Sequence, residues 1–123
     1  MTTVGTRFFR SIRFALRGLS AVYQAEQNFR IQLISFVVVM GIAVMLRVRS
    51  WELIAITLAG GSVLVLECIN SAVERLLDLV QPRLHGYVRE IKDVMAAAVL
   101  IASVGATIVV LAILAPYLLR ATS

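Results

Sequence analysis

The sequence predicts an all-α integral membrane protein, with an N-terminal amphipathic surface helix followed by three transmembrane helices in one domain over residues 1–123. Three observations carry this. First, the 123 residues are 60% hydrophobic and only 15% charged, with a mean hydropathy of +0.92, whereas soluble domains hold about 45–50% apolar and about 25% charged residues. Second, three uncharged runs stand out: Ile31–Leu46 (16 residues), Leu53–Leu66 (14) and Val94–Leu119 (26). Third, the residues before the first run alternate arginine with apolar side chains at helical steps. This composition excludes a water-soluble globule, a disordered tail and a disulfide scaffold. The lone Cys68 has no internal partner and forms no zinc pattern.

The surface helix is expected over about residues 5–27. Phe8, Phe9, Ile12, Leu16, Leu19 and Tyr23 recur at three- and four-residue steps, and Arg7, Arg10, Arg13 and Arg17 form another face. Such a basic amphipathic helix suits an anionic membrane surface. Gly18 is its weak point. No signal peptide is expected, because the first apolar run follows five arginines and no small-residue cleavage site follows it.

The spans are expected over about residues 29–47, 51–80 and 90–119. A helix rises about 1.5 Å per residue and a hydrocarbon core of roughly 30 Å needs about 20 residues. The third run is long enough. The first reaches about 24 Å, and Arg30 and Arg47 can snorkel to extend it. The second is too short alone and must continue through the polar stretch Glu67–Val80. In lipid every backbone group is satisfied internally, so these spans are helices. Gln81–Asp93, with Pro82 and Gly86, reads as a connector, and Pro116 is expected to bend or end the third span. Trp51 and Tyr117 suit interface anchoring. With the N-terminus in the cytoplasm, nine Lys and Arg lie inside (Arg7, Arg10, Arg13, Arg17, Arg30, Arg75, Arg83, Arg89, Lys92) against three outside (Arg47, Arg49, Arg120), which favours N-in, C-out.

A three-span protomer encloses little space of its own, so self-association is expected. Gly60 and Gly61, and Ala96, Ala97, Ala98, Ala102, Gly105 and Ala106, offer small-residue faces for helix contacts.

The strongest chemical signal lies at the polar end of the second span. Glu67, Asn70, Ser71, Glu74 and Asp78 fall at i, i+3, i+4, i+7 and i+11, so one helix face carries three carboxylates, an amide and a hydroxyl. A charge at the bilayer centre costs about 2.5–3.5 kcal/mol on insertion scales. A divalent cation, a cationic partner or protonation must offset this. Asp78 and Glu74 are equally read as solvated residues of an emerging helix, and Asn70 alone as interhelical glue. Mg²⁺ takes one or two carboxylates together with phosphate oxygens, and phosphoryl transfer needs a metal, cations and a base at the acceptor hydroxyl. No Walker A or kinase glycine-rich loop is present.

The run Glu67-Cys68-Ile69-Asn70-Ser71-Ala72-Val73-Glu74-Arg75-Leu76-Leu77-Asp78 resembles the signature of the prokaryotic diacylglycerol kinase family, E-x-x-N-S-A-(I/V)-E-x-x-x-D, a family that includes the undecaprenol kinases. Glu26-Gln27-Asn28-Phe29-Arg30 resembles the family's E-x-x-F-R, and His85 with Ile91-Lys92-Asp93 and Ala96-Ala97-Ala98-Val99 resembles its H…K-D…A-A-V block. The resemblance runs from about Arg7 to Tyr117. It implies a homotrimeric lipid kinase of the bacterial cytoplasmic membrane, with active sites shared between protomers, that transfers phosphate from ATP to a lipid hydroxyl. By resemblance, Glu26 and Glu74 are ligands of the Mg²⁺ carried with ATP, and Glu67 is the catalytic base. Asn70 orients the site, and Lys92 and Asp93 contact the nucleotide. His85 and Arg7 lie along the ATP site, and Arg7 with Glu67 meets the lipid. Met95 departs from the pattern, standing where many members have a small residue. Residues 26–33 and Leu79-Val80-Gln81-Pro82 look closer to the undecaprenol kinase branch, so undecaprenol is the expected substrate and diacylglycerol the alternative.

The residues by themselves leave other readings. Glu26 equally suits an i+4 pair with Arg30, and Lys92, the only lysine, suits interface anchoring as well as phosphate contact. A small pore-forming, holin-like or accessory subunit could line an ion path with the same acids. An exporter subunit would need an acid in the first span, which has none. Nucleic-acid binding is not expected from a net charge of +5 with arginines on a membrane-facing helix.

Overall fold

The computed structural model describes residues 3–80, 83 and 85–123. They form four helices: α1 (Val4–Ala25), α2 (Gln27–Met45), α3 (Ser50–Val80) and α4 (His85–Ala121). No strand occurs among the described residues. α2, α3 and α4 are each long and apolar enough to cross a membrane. At about 1.5 Å per residue they measure about 28, 46 and 55 Å, so α3 and α4 carry polar ends past a core of roughly 30 Å. α3 packs on α2 and on α4, meeting α4 near both of its ends, and α1 touches α2 and α3.

Thr3 caps α1, its hydroxyl accepting from the Thr6 N–H at 3.3 Å, and the helix passes through Gly18 without interruption. It ends at a single extended residue, Glu26 (φ −116°, ψ 110°), which is also the N-cap of α2. Arg30 spans this break: its Nη1 donates to the carbonyls of Tyr23 (2.8 Å) and Gln24 (3.0 Å). A guanidinium on α2 thus satisfies carbonyls that the end of α1 would leave open. Arg30 is engaged there rather than in an i+4 pair with Glu26.

At the other end, α2 turns into α3 through Arg47, in the left-handed region at φ 54°. The Arg47 N–H donates to Val44 O (3.1 Å) and the Val48 N–H to Ala43 O (3.3 Å), the paired bonds of a Schellman ending. Val48 packs against the cluster of Ala43, Ile56, Ile113 and Leu114, which joins α2, α3 and α4 at this turn end. Glu52 accepts from the Arg49 N–H at 3.0 Å and from the Tyr117 hydroxyl, and the Arg120 guanidinium lies 5.4 Å from the Tyr117 ring centre. Tyr117 therefore ties α4 to the start of α3. A Tyr117→Phe chain should unfold at lower temperature in detergent, because Glu52 loses a donor while buried. The contact lies at the opposite end of α3 from the acidic face, so the loss should be one of stability alone.

Two expectations change. Pro116 does not end the third span, for α4 continues to Ala121. The connector is also shorter than Gln81–Asp93, for α4 already begins at His85. Val88 is buried at 1% exposure and Lys92 pairs with Asp78 of α3, so tertiary contact extends the helix through its polar opening. Gln81 and Pro82, which entered the connector and the branch comparison, lie outside the described residues.

Gly60 has its role inside the protomer. A Cβ there would lie 2.4 Å from the Phe36 ring of α2, whereas Gly61 and Gly105 face open space. Gly60→Ala should therefore destabilise the protomer by about 1–3 kcal/mol, the usual result of overpacking, and Gly61→Ala should not. Denaturation in mixed micelles compares the two. Outward, Val37, Val38, Leu58, Val65, Ile101 and Ile108 are exposed, as expected where the solvent is lipid.

Candidate active site

The acidic face of α3 sits at the end of the bundle where α1 meets α2. Glu67 is 6% exposed and Ser71 1%, with Asn70 and Glu74 half-buried. Val22 of α1, Phe29 of α2 and Val88 of α4 are buried residues of this end. The helical period explains the gradient. Glu67 and Ser71, four residues apart, point inward on one line, while Asn70 and Glu74 flank it. Asp78, two turns beyond Ser71, has a side chain 62% exposed.

Glu26 and Glu74 both act electrostatically on Glu67. Glu26 and Glu74 therefore lie within electrostatic range of Glu67 without the three meeting at one point, and no described residue forms an ion pair with any of them. The Ser71 hydroxyl is buried without a hydrogen-bond partner. The break at Glu26 is what makes this possible: with α1 closed and Arg30 occupied by α1 carbonyls, the Glu26 side chain makes no capping bond of its own.

The other predicted residues are distributed differently. Lys92 Nζ lies 3.4 Å from Asp78 Oδ1, joining α4 to α3. Asp78 is therefore both exposed and engaged. Asp93 is exposed on α4, and His85 is exposed at its start beside Arg83, Gly86, Tyr87 and Glu90. Arg7 is not brought to the carboxylates within the protomer, since it stands 19 residues before Glu26, about 28 Å along a helix. Met95 is half-buried on α4.

The donors suit a hard cation, being all oxygen: carboxylates, an amide and a hydroxyl. Among the described residues no three of His, Cys, Asp or Glu converge closely enough to hold an ion alone.

A groove of about 280 Å³ opens among α2, α3 and α4, lined in part by Gln32, Ser35, Phe36, Val63, Ser103 and Thr107. Interpolating between the Lys92–Asp78 and Tyr117–Glu52 contacts places Ser103 opposite Glu67 along the antiparallel α3–α4 pair. The groove therefore begins at the depth of the buried carboxylate and runs toward the apolar turn end. Single-residue motifs could not reveal it, because its walls are ordinary span residues from three helices.

Comparison with known proteins now decides the family. The model of the prokaryotic diacylglycerol kinase family matches residues 13–114. The chain belongs to that family. It is 34% identical over 110 residues to a diacylglycerol kinase of Synechocystis, covering 89% of this chain and 63% of that protein, so it spans less than two thirds of that relative's length. It is 32% identical over 114 residues to an undecaprenol kinase of Bacillus subtilis, covering 91% of each. It is 30% identical over 107 residues to a diacylglycerol kinase of Escherichia coli, covering 87% of this chain and 88% of that one. The family match takes in Glu26, the whole acidic face of α3 and the Lys92–Asp93 pair, and leaves out Arg7.

Proposed function

We propose that this chain is an ATP-dependent lipid kinase that phosphorylates the terminal hydroxyl of a membrane lipid, with undecaprenol preferred and diacylglycerol the alternative, yielding the lipid monophosphate. The observation that carries the reading is Glu67, buried at the polar end of a membrane-spanning helix with Glu26 and Glu74 within electrostatic reach. A buried acid among like charges and without a cationic partner is costly for stability alone, and it is the arrangement a phosphoryl-transfer site requires.

In this reading Glu26 and Glu74 hold the Mg²⁺ carried with ATP, and Asn70 orients the phosphates beside them. The ion would neutralise phosphate charge as the transfer proceeds. Glu67 accepts the proton of the lipid hydroxyl while its oxygen bonds to the γ-phosphorus and the bond to the β-phosphate oxygen breaks, releasing ADP. Lys92 leaves Asp78 to meet the transferred phosphate as a point charge. Asp93, His85 and Arg7 contact the nucleotide, and Arg7 also the lipid. Because Arg7 stands so far along α1 from Glu26 in one protomer, its role fits a site completed by another copy, in a homotrimer with the N-terminus in the cytoplasm. The groove beginning opposite Glu67 would take the first part of the lipid chain, which both substrates share. Apolar tail contacts discriminate weakly between them, and the matched relatives carry both names.

The test supplies labelled ATP and Mg²⁺ to the folded protein in detergent, with undecaprenol or diacylglycerol in parallel. Transfer to undecaprenol at higher kcat/KM supports the reading. Transfer only to diacylglycerol moves the substrate to the alternative, and no transfer to either from a folded oligomer overturns the kinase.

A further inference from the structure

α1 carries a feature that the site does not use. No Asp or Glu precedes Glu26, so Arg10, Arg13 and Arg17, to which the proposed site gives no role, place three positive charges on a helix with no acid on it. Phe8, Phe9, Ile12, Leu16, Leu19 and Tyr23 remain exposed, and Val22 is the one buried residue of the helix. At 100° per residue these apolar side chains and the arginines occupy opposite arcs. Phe14 lies on the arginine side, with the Arg17 guanidinium 5.8 Å from its ring centre. The protomer leaves the apolar arc uncovered. An apolar arc beside a basic one, on a helix that carries no acid, is complementary to an anionic lipid surface.

The seat of this helix has a structural consequence. Only Glu26 separates α1 from α2, and Arg30 binds the last carbonyls of α1 to α2. A tilt or lift of α1 must be absorbed at Glu26, one of the carboxylates near Glu67.

From this we infer that α1 senses membrane surface charge: Arg10, Arg13 and Arg17 bind anionic lipid headgroups, the apolar arc enters the interface, and this seating sets the position of Glu26. The link to catalysis rests on the lipid-kinase reading; the seating itself does not.

The experiment uses the full chain with Phe9→Trp on a Trp51→Phe background, in vesicles of phosphatidylcholine alone or mixed with phosphatidylglycerol. Emission of the new tryptophan should shift to the blue and resist aqueous quencher in the mixed vesicles. At about 1 M salt, where the Debye length falls to about 3 Å, the shift should reverse. Partitioning should weaken about fivefold per arginine changed to Gln among Arg10, Arg13 and Arg17, equivalent to about 1 kcal/mol each. The triple Lys variant should behave as the parent, since charge is retained. Emission that is buried in both vesicles and in every variant means another copy covers the apolar arc, and overturns the inference, as does emission exposed in both. The apparent KM for Mg-ATP should be lower in mixed vesicles for the parent and the Lys variant only. If the helix seats by charge and KM does not follow, the coupling through Glu26 fails. If it seats by charge and no vesicle supports transfer, the kinase reading fails and the seating stands.

Discussion

Glu67→Gln is expected to lower kcat for lipid phosphorylation by about 10²–10⁴, the range supplied by a positioned base, while the chain still folds and assembles. The amide keeps the volume and hydrogen-bonding capacity of the buried side chain but cannot take the hydroxyl proton. It also removes one of three neighbouring negative charges, so the variant should be at least as stable to heat as the parent. The two effects together distinguish a catalytic acid from a structural one. If Glu67 merely held helices together, stability would fall and transfer would follow it. If it lined an ion path, the variant would change conductance with no ATP consumed in either form. The measurements are steady-state transfer from labelled ATP and thermal unfolding in the same detergent.

Glu74→Gln and Glu26→Gln are each expected to cost about 100-fold in kcat/KM, in the range seen when one group stabilising transferring charge is removed, with much of the loss in the KM for Mg-ATP. Raising free Mg²⁺ should restore part of the activity, because each variant leaves one carboxylate to share the ion with the phosphates. The double variant should not respond to Mg²⁺. Isothermal titration of Mg-ATP checks the binding part without relying on turnover. Equal kcat/KM for parent and both single variants would remove these two residues from the metal role and leave their proximity to Glu67 as an accident of packing. Asn70 offers a contrast, since it carries no charge and its loss should leave the Mg²⁺ response intact.

Much of this site was legible in one dimension because a helix converts spacing into geometry. Glu67, Asn70, Ser71, Glu74 and Asp78 had to share a face once the span continued past Leu66, and their unequal burial follows from which of them the helical turn aims at the neighbouring helices. Ser71 was visible as part of that face, but its unpartnered burial was not, because the line of contact with the other helices sets it. Glu52 lay at the edge of an apolar run with no signal beyond its charge. Its partner, Tyr117, is 65 residues away, and sequence reasoning assigned that tyrosine to the interface. Lys92 and Asp78 were each read singly, and their pairing depends on the register between two antiparallel helices.

Composition and periodicity by themselves determined that the chain is helical, that three of its helices can cross a bilayer, and that the middle one ends in acids, because hydrophobic length and the 3.6-residue period are local properties. Only the tertiary structure decided that Arg30 binds the end of α1 and leaves Glu26 uncommitted, that Phe36 covers Gly60, and that the groove starts at the depth of Glu67. These depend on how far one helix is shifted along another, which is settled by packing between residues distant in the chain and leaves no mark in either segment alone.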